Sequence, residues 1–165
     1  MSTEDRKNEI IEITKELLRK AGFDGEVRFI ESGPGGGKFA TVSIESDSDI
    51  SMLIGKNGQN LGAFEHLVRL VASRRLANPE SDLHFIVDIN DYRKSRTDYL
   101  IGVAKDVAQR VIQTQRAEAL SPMSSYERRL VHTELASYRE IQTESVGQEP
   151  RRRIVVKPQS EQLLK

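Results

Sequence analysis

The first half of the chain switches between helical and strand-like spacing of its hydrophobic residues. Helical spacing predicts one amphipathic helix over residues 4–21 and another over residues 59–77. The second of these helices should bury the stripe Leu61, Phe64, Leu67, Val68, Val71 and Ala72. Alternating apolar residues predict three strands, over 26–31, 39–45 and 83–89. With a short helix over 50–54, the order is helix, strand, strand, helix, helix, strand.

A glycine-rich segment, Gly33 to Gly37, lies between the first two strands and is followed by Lys38. Glycines before a lysine can form a phosphate-binding P-loop. That motif would also need glycine at Ser32, serine or threonine at Phe39, and a position between a strand and a helix. None of these conditions is met, so the segment is predicted to be a hairpin loop.

The second half begins with a long helix, predicted over 92–114 from apolar pairs, including Tyr99 and Leu100, that recur every four residues. A short edge strand at 117–120 and a turn then lead into a capped helix that runs to Leu135. Two strands complete the pattern, over 138–143 and 152–157, with a turn over 144–150 between them.

These elements predict an α+β chain built as two small two-layer domains rather than around one large core. We expect the first domain over residues 1–89, the second over residues 90–158, and a tail over residues 159–165.

Composition then narrows the chemistry that the chain can perform. It has three histidines and no cysteine. The lack of cysteine excludes disulfides, iron–sulfur clusters, thiolate zinc sites and cysteine nucleophiles, and three scattered histidines do not make a metal site. No apolar run approaches the roughly 18 residues that span a bilayer. We therefore expect a cytoplasmic protein with no cofactor, no metal and no direct membrane insertion.

Charge is balanced overall, at 25 basic and 25 acidic residues, but it is divided unevenly along the chain. Residues 1–88 carry a net charge of −4 and residues 89–165 a net charge of +4. This asymmetry suggests an anionic partner for the second half, although a net charge of this size is also common in ordinary soluble domains.

The most informative segment of the first half is Ile54-Gly55-Lys56-Asn57-Gly58, directly before a predicted helix. Two glycines let the backbone approach an anion closely, and the following helix offers free N–H groups and the positive end of its dipole. Lys56 adds a cation at the tip of the turn. The alternative is a helix–turn–helix corner that needs glycine only for steric reasons.

The order of elements around this segment favours the first interpretation. A Gly-x-x-Gly turn between two helices, within the order helix, strand, strand, helix, helix, strand, resembles a type II KH domain. In that family the loop clamps the backbone of about four nucleotides, and the bases lie on an apolar groove beside it. The resemblance implies RNA contacts from Ile54, Gly55, Lys56, Asn57 and Gly58, with Leu61 also expected at the groove.

The second half carries a weaker motif that gains weight from its surroundings. Arg128 and His132 are four residues apart and would share one face of a helix, a pattern that is common by chance. Together with Ser121-Pro122-Met123 before them and Thr143-Glu144-Ser145-x-Gly147-x-x-Pro150-x-Arg152-Arg153 after them, they resemble an R-3-H domain.

The R-3-H family binds single-stranded nucleic acid. The resemblance makes Arg128 and His132 its signature residues, and we expect the face that carries them to be exposed. It also suggests phosphate contacts from Arg129, Arg151, Arg152 and Arg153. Tyr126, Tyr138 and Phe39 are the candidates for base stacking.

A KH domain fused without a linker to an R-3-H domain resembles the bacterial Jag family, whose members are also called KhpB or EloR. Many members carry a further amino-terminal Jag domain, which we expect this chain to lack. The resemblance implies a non-catalytic protein that binds single-stranded RNA, or single-stranded DNA, and regulates genes after transcription in connection with cell elongation or division. It also suggests a small single-KH protein as a partner.

Two other classes of function compete with this one. The chain could be a protein-interaction module that pairs with another KH protein, with nucleic-acid binding incidental. It could also be an enzyme in which His132 acts as a general base in RNA cleavage. No second histidine or carboxylate stands at a recognisable spacing to complete such a site, so we do not expect an enzyme.

Overall fold

The computed structural model describes residues 2–32, 39–76 and 84–159. Within them the chain divides into two compact units, residues 1–93 and residues 94–165. The predicted hairpin loop at Gly33 to Gly37 and Leu83 of the third predicted strand lie outside the described residues. The same holds for the predicted tail apart from Gln159.

The first unit has the predicted order of elements. They are α1 (Thr3–Lys20), β1 (Glu26–Ser32), β2 (Phe39–Glu45), α2 (Ser51–Ile54), α3 (Gln59–Arg75) and β3 (Phe85–Ile89). Local signals explain why α1 begins where it does. The Ser2 side chain accepts a hydrogen bond from the Asp5 N–H, and the Asp5 carboxylate accepts one from the Ser2 N–H.

The three strands of the first unit form one mixed sheet in the order β1-β2-β3. β2 runs antiparallel to β1 and parallel to β3, with Val42 opposite Phe29 on one side and Val87 on the other. One face packs against the helices and forms the hydrophobic core. Its fully buried members are Ile10, Ile13, Val42, Ile44, Val68, Val87 and Ile89.

The predicted core stripe of α3 is wrong at one position. Leu67 is 49% exposed, whereas Leu61, Phe64, Val68 and Ala72 are buried. At about 100° per residue, Leu67 lies roughly 120° around the helix from Leu61 and therefore at the margin of the buried stripe.

Side chains cover the outer edge of β3. The Glu65 carboxylate accepts a hydrogen bond from the Val87 N–H at 2.9 Å, and the Arg69 guanidinium donates to the Phe85 carbonyl. Arg93, in the first turn of the next helix, donates to the Val87 carbonyl and pairs with Glu65. These side chains satisfy the Phe85 carbonyl and both backbone groups of Val87, which disfavours addition of a further strand at this edge.

Helix α4 (Tyr92–Thr114) follows, with the bounds predicted from the sequence, and most of it belongs to the second unit. The remaining elements are β4 (Glu118–Ala119), α5 (Ser125–Leu135), β5 (Ile141–Val146) and β6 (Arg153–Pro158). The strands form a fully antiparallel sheet in the order β4-β6-β5. A separate core contains Ala104, Ala108, Val111, Val131, Leu135, Ile154 and Val156. The architecture is therefore two small α+β units, as predicted.

Two details of the second unit differ from the prediction. Tyr99, counted as an apolar member of the α4 face, is exposed. Strand β5 begins three residues later than predicted because the Tyr138 N–H donates to the Leu135 carbonyl and keeps this segment in the turn after α5. Pairing of Val146 with Arg153 then extends the strand through much of the expected turn.

No helix in the described parts of the chain is long and apolar enough to cross a membrane.

Candidate nucleic-acid interface

The Gly55–Gly58 turn has a backbone that ordinary side chains rarely adopt. Gly55 has φ 71°, Asn57 φ 55° and Gly58 φ 77°. Glycine adopts positive φ without steric cost, and asparagine tolerates the left-handed region better than most residues. Lys56–Gly58 form one turn of 3-10 helix between α2 and α3, in which the Gly58 N–H donates to the Gly55 carbonyl and the Gln59 N–H to the Lys56 carbonyl.

The side chains of Asn60 and Tyr92 pack against the two glycines of this turn. A Cβ added at Gly55 would lie 2.5 Å from Asn60 Cγ, and one added at Gly58 would lie 2.9 Å from Tyr92 Cε1. The Asn60 side chain also donates to the Met52 carbonyl at 2.7 Å. Both glycines are thus required for close packing as well as for backbone conformation. The steric interpretation therefore explains part of the requirement for glycine at these two positions.

The surroundings of the turn remain open to an anion. Lys56 is exposed, and its ammonium group has no ion-pair partner within the described ranges. Helix α3 has no side-chain cap and no acidic residue in its first turn, so its positive dipole end is not neutralised locally. The turn therefore carries positive charge that no side chain in the described ranges neutralises.

The apolar residues beside the turn differ from those predicted. Ile54 is partly buried against the core, and Leu61 is only 1% exposed, so Leu61 belongs to the core rather than to an open groove. The large apolar side chain exposed next to the turn is Met52, at 78%. No pattern in the sequence distinguishes Met52 from the buried residues of the short helix, so its exposure was not predicted.

Arg128 is placed differently from the exposed position that we expected. It is 7% exposed, and its guanidinium donates to the Met123 carbonyl at 2.7 Å and pairs with Glu149 Oε1 at 2.7 Å. The expectation of an exposed face is therefore wrong for this residue. Its donors are directed at the protein itself.

His132 and Arg129 lie on the same helix with different surroundings. The His132 ring is half-buried, and its Nδ1 is 2.6 Å from Thr143 Oγ1, which orients the ring against β5. Arg129 is exposed, and its guanidinium has no hydrogen-bond or ion-pair partner among the residues with described positions. Arg129 is thus a cation that α5 presents to solvent.

The three consecutive arginines lie on the segment that leads from β5 into β6. Arg151, Arg152 and Arg153 are all exposed. Arg152 donates from Nε to Ser145 Oγ at 2.9 Å, whereas the guanidinium groups of Arg151 and Arg153 have no partner in the described part of the chain. This segment therefore carries positive charge that no acidic side chain in the described part of the chain neutralises.

The stacking candidates separate clearly. Tyr126 is 71% exposed and lies three residues before Arg129, so the two share one face of α5. Tyr138 is partly buried against the core of the second unit. The Phe39 side chain lies outside the described residues.

Among the described residues, no group of three or more His, Asp or Glu side chains could hold a metal ion.

Comparison with known proteins identifies the second unit. Residues 98–158 match the family model of the R-3-H domain, the domain predicted from the sequence. This match lies within the predicted second domain, residues 90–158.

Several relatives match over both units. The protein of Clostridium symbiosum named RNA-binding protein KhpB is 34% identical over 119 residues, which are 72% of this chain and 52% of that protein. Its namesake in Lactiplantibacillus plantarum is 34% identical over 121 residues, which are 73% of this chain and 36% of that protein. The Bacillus subtilis KhpB is 35% identical over 108 residues, or 64% of this chain and 50% of that protein. The chain thus spans about half or less of the length of these curated relatives.

The fold and the family match define a protein of two small α+β units, the second of which contains an R-3-H domain. Its relatives show that the chain belongs to the family of the KhpB, or Jag, proteins, which confirms the resemblance seen in the sequence. The KH interpretation of the first unit rests on its element order and its glycine turn.

A pair of glycine substitutions tests the packing of the turn. Gly58→Ala should lower the free energy of unfolding by about 2 kcal/mol, because alanine is strained at positive φ and its Cβ would press on the Tyr92 ring. Gly62→Ala is the control. It lies within α3 with nothing within 4 Å of an added Cβ and should stabilise by about 0.5–1 kcal/mol. Urea denaturation measures both, and equal effects would contradict the packing described here.

A second pair of substitutions compares how much the neighbouring Arg128 and Arg129 of α5 contribute to stability. Arg128→Ala should lower the free energy of unfolding by about 2 kcal/mol because it removes charge-assisted hydrogen bonds to Met123 and Glu149. Arg129→Ala should change it by less than about 0.5 kcal/mol because that side chain is exposed and has no partner in the described ranges. Thermal or urea unfolding distinguishes the two variants. An Arg128→Ala variant with an unchanged free energy of unfolding would show that the Arg128 contacts do not stabilise the fold.

Proposed function

We propose that this protein is a non-catalytic single-stranded RNA-binding protein with one binding surface in each unit. The observation that carries the proposal is the glycine turn at 55–58. It combines a compact backbone with positive φ at Gly55, Asn57 and Gly58, a helix start without a side-chain cap, and a lysine with no ion-pair partner among the described residues. The names of the KhpB relatives support RNA as the ligand, because those proteins are described as RNA-binding.

On the first surface, recognition is of the sugar-phosphate backbone. The exposed Lys56 ammonium would donate to a phosphate oxygen, and the positive dipole end of α3 would favour the negative charge of the phosphate. Gly55 and Gly58 lack the Cβ atoms that would collide with Asn60 and Tyr92, so the turn stays compact at the start of α3. Met52 and the partly buried Ile54 offer apolar contact to a base beside it.

On the second surface, charge is supplied by Arg129, Arg151, Arg152 and Arg153. Guanidinium groups bind phosphates in a bidentate manner and also stack on bases. Tyr126, on the Arg129 face of α5, provides an exposed ring for stacking, which is worth about 1–3 kcal/mol per base in single-strand binding proteins. His132 adds a ring nitrogen that can meet the same ligand, with its Nδ1 already engaged by Thr143.

Two weak sites on one chain reinforce each other, because binding at the first raises the effective concentration of the strand at the second to the order of millimolar. Base preference should be modest, since backbone contacts and stacking tolerate many sequences. By resemblance to the Jag family, we propose that the protein acts after transcription, in connection with cell elongation or division.

One observation favours a second function, pairing with another KH protein. Leu67 and Leu70 of α3 are each 49% exposed and lie three residues apart, so they form a small apolar strip on the helix surface. Such a strip suits a protein partner better than a phosphate backbone.

A titration with fluorescently labelled single-stranded RNA at several salt concentrations tests the RNA proposal. We expect log affinity to fall linearly with log salt, with a slope of about 0.7 per neutralised phosphate. The double variant Lys56→Asp, Asn57→Asp should weaken binding at least about tenfold, because two carboxylates would repel the backbone at the turn.

The matched control is Asn8→Asp, Lys15→Asp, which makes the same two kinds of substitution on exposed positions of α1. It changes the net charge equally and should leave the affinity within about twofold. Equal losses in the two double variants would show that only overall charge matters. Absence of any RNA binding in dilute buffer would overturn the proposal and leave protein pairing as the function to test.

A further inference from the structure

The segment between β5 and β6 is held by a closed set of contacts. Arg128 donates to the Met123 carbonyl, and the Met123 N–H donates to the Arg152 carbonyl at 3.2 Å. Arg128 also pairs with Glu149, while the Arg151 N–H closes a turn on the Gln148 carbonyl at 2.9 Å. The segment that carries the arginines is thus joined at two points, to Met123 before α5 through Arg152 and to Arg128 within α5 through Glu149.

These contacts oppose the electrostatic repulsion among the three consecutive arginines. Three consecutive arginines repel one another, and a surface turn has few buried contacts to oppose that repulsion. Glu149 supplies a negative charge two residues before Arg151 and directs it at a buried cation rather than at the exposed arginines. The carboxylate therefore fixes the turn without neutralising the guanidinium groups that remain exposed.

We propose that Glu149 is a positioning residue for RNA binding, which acts through Arg128 to hold the segment 147–152 so that Arg151 to Arg153 are presented to one RNA strand together. The inference rests on the proposed function of the second surface. It also explains how a buried Arg128 could contribute to RNA binding without contacting the RNA. The Arg128 side chain is 8% exposed and is committed to Met123 and Glu149, so it organises the surface from behind.

The sign of the effect separates this role from simple electrostatics. If Glu149 acted only through its charge, its removal would tighten RNA binding, because an acidic group would leave a basic surface. Positioning predicts the opposite. Glu149→Ala should weaken binding about three- to tenfold, and Glu149→Gln should fall between Ala and wild type because its amide oxygen still accepts from Arg128. The Glu149 side chain is 60% exposed, so both variants should fold.

The salt dependence distinguishes positioning from a general loss of folded protein. Loss of an arginine contact lowers the slope of log affinity against log salt by about 0.7 per phosphate, whereas a smaller folded fraction lowers the apparent affinity without changing that slope. We expect a reduced slope for Glu149→Ala, with its unfolding midpoint recorded in parallel. Arg128→Lys should behave like Glu149→Ala, because a single ammonium cannot reproduce the two directed contacts.

The matched control is Glu140→Ala, which removes the same charge from the opposite end of the same hairpin. It should leave the affinity unchanged or slightly tighter. Tighter binding by both Glu149 variants, or equal affinities for Ala and Gln with an unchanged slope, would overturn the inference while the proposed function stands. Failure of the wild-type protein to bind single-stranded RNA would instead overturn the proposed function itself.

Discussion

The proposed RNA binding depends on which cations the protein leaves without an internal partner. With 25 basic and 25 acidic residues, most arginines and lysines could be neutralised internally, and many are, as in the contacts of Arg69, Arg93 and Arg96 with Glu65 and Glu127. A cation that is already paired gains little from an external phosphate, because the exchange breaks one ion pair to form another. The proposed RNA contacts are therefore assigned to exposed cations that have no carboxylate partner in the described ranges, such as Lys56, Arg129, Arg151 and Arg153.

Features governed by local chemistry were predictable from the sequence. The helix starts at Ser2 and Ser124 follow from capping boxes completed three residues later, and the glycine turn follows from the spacing of Gly55 and Gly58. The bounds of α4 and the order of elements also follow, because hydrophobic periodicity extends over many residues and averages out local ambiguity.

Features governed by tertiary contacts were not predictable in this way. Burial of Arg128 depends on Glu149, which lies 21 residues along the chain, and no local pattern indicates that pairing. Exposure of Leu67 depends on how far the neighbouring elements extend around α3. The Tyr92 ring beneath Gly58 is another such case, since a tyrosine at a helix start carries no signal of the loop it supports. The sequence thus indicates candidate residues for RNA binding, while the structure separates the exposed ones, such as Arg129, from the buried ones, such as Arg128.

The most direct test is an NMR titration of the isotopically labelled protein with a short single-stranded RNA. We expect the backbone amide signals of residues 55–60, 147–149 and 151–153 to shift together with that of Arg129, while those of α1 stay in place. Shifts confined to the α3 surface around Leu67 and Leu70, or no shifts at all in dilute buffer, would contradict this expectation.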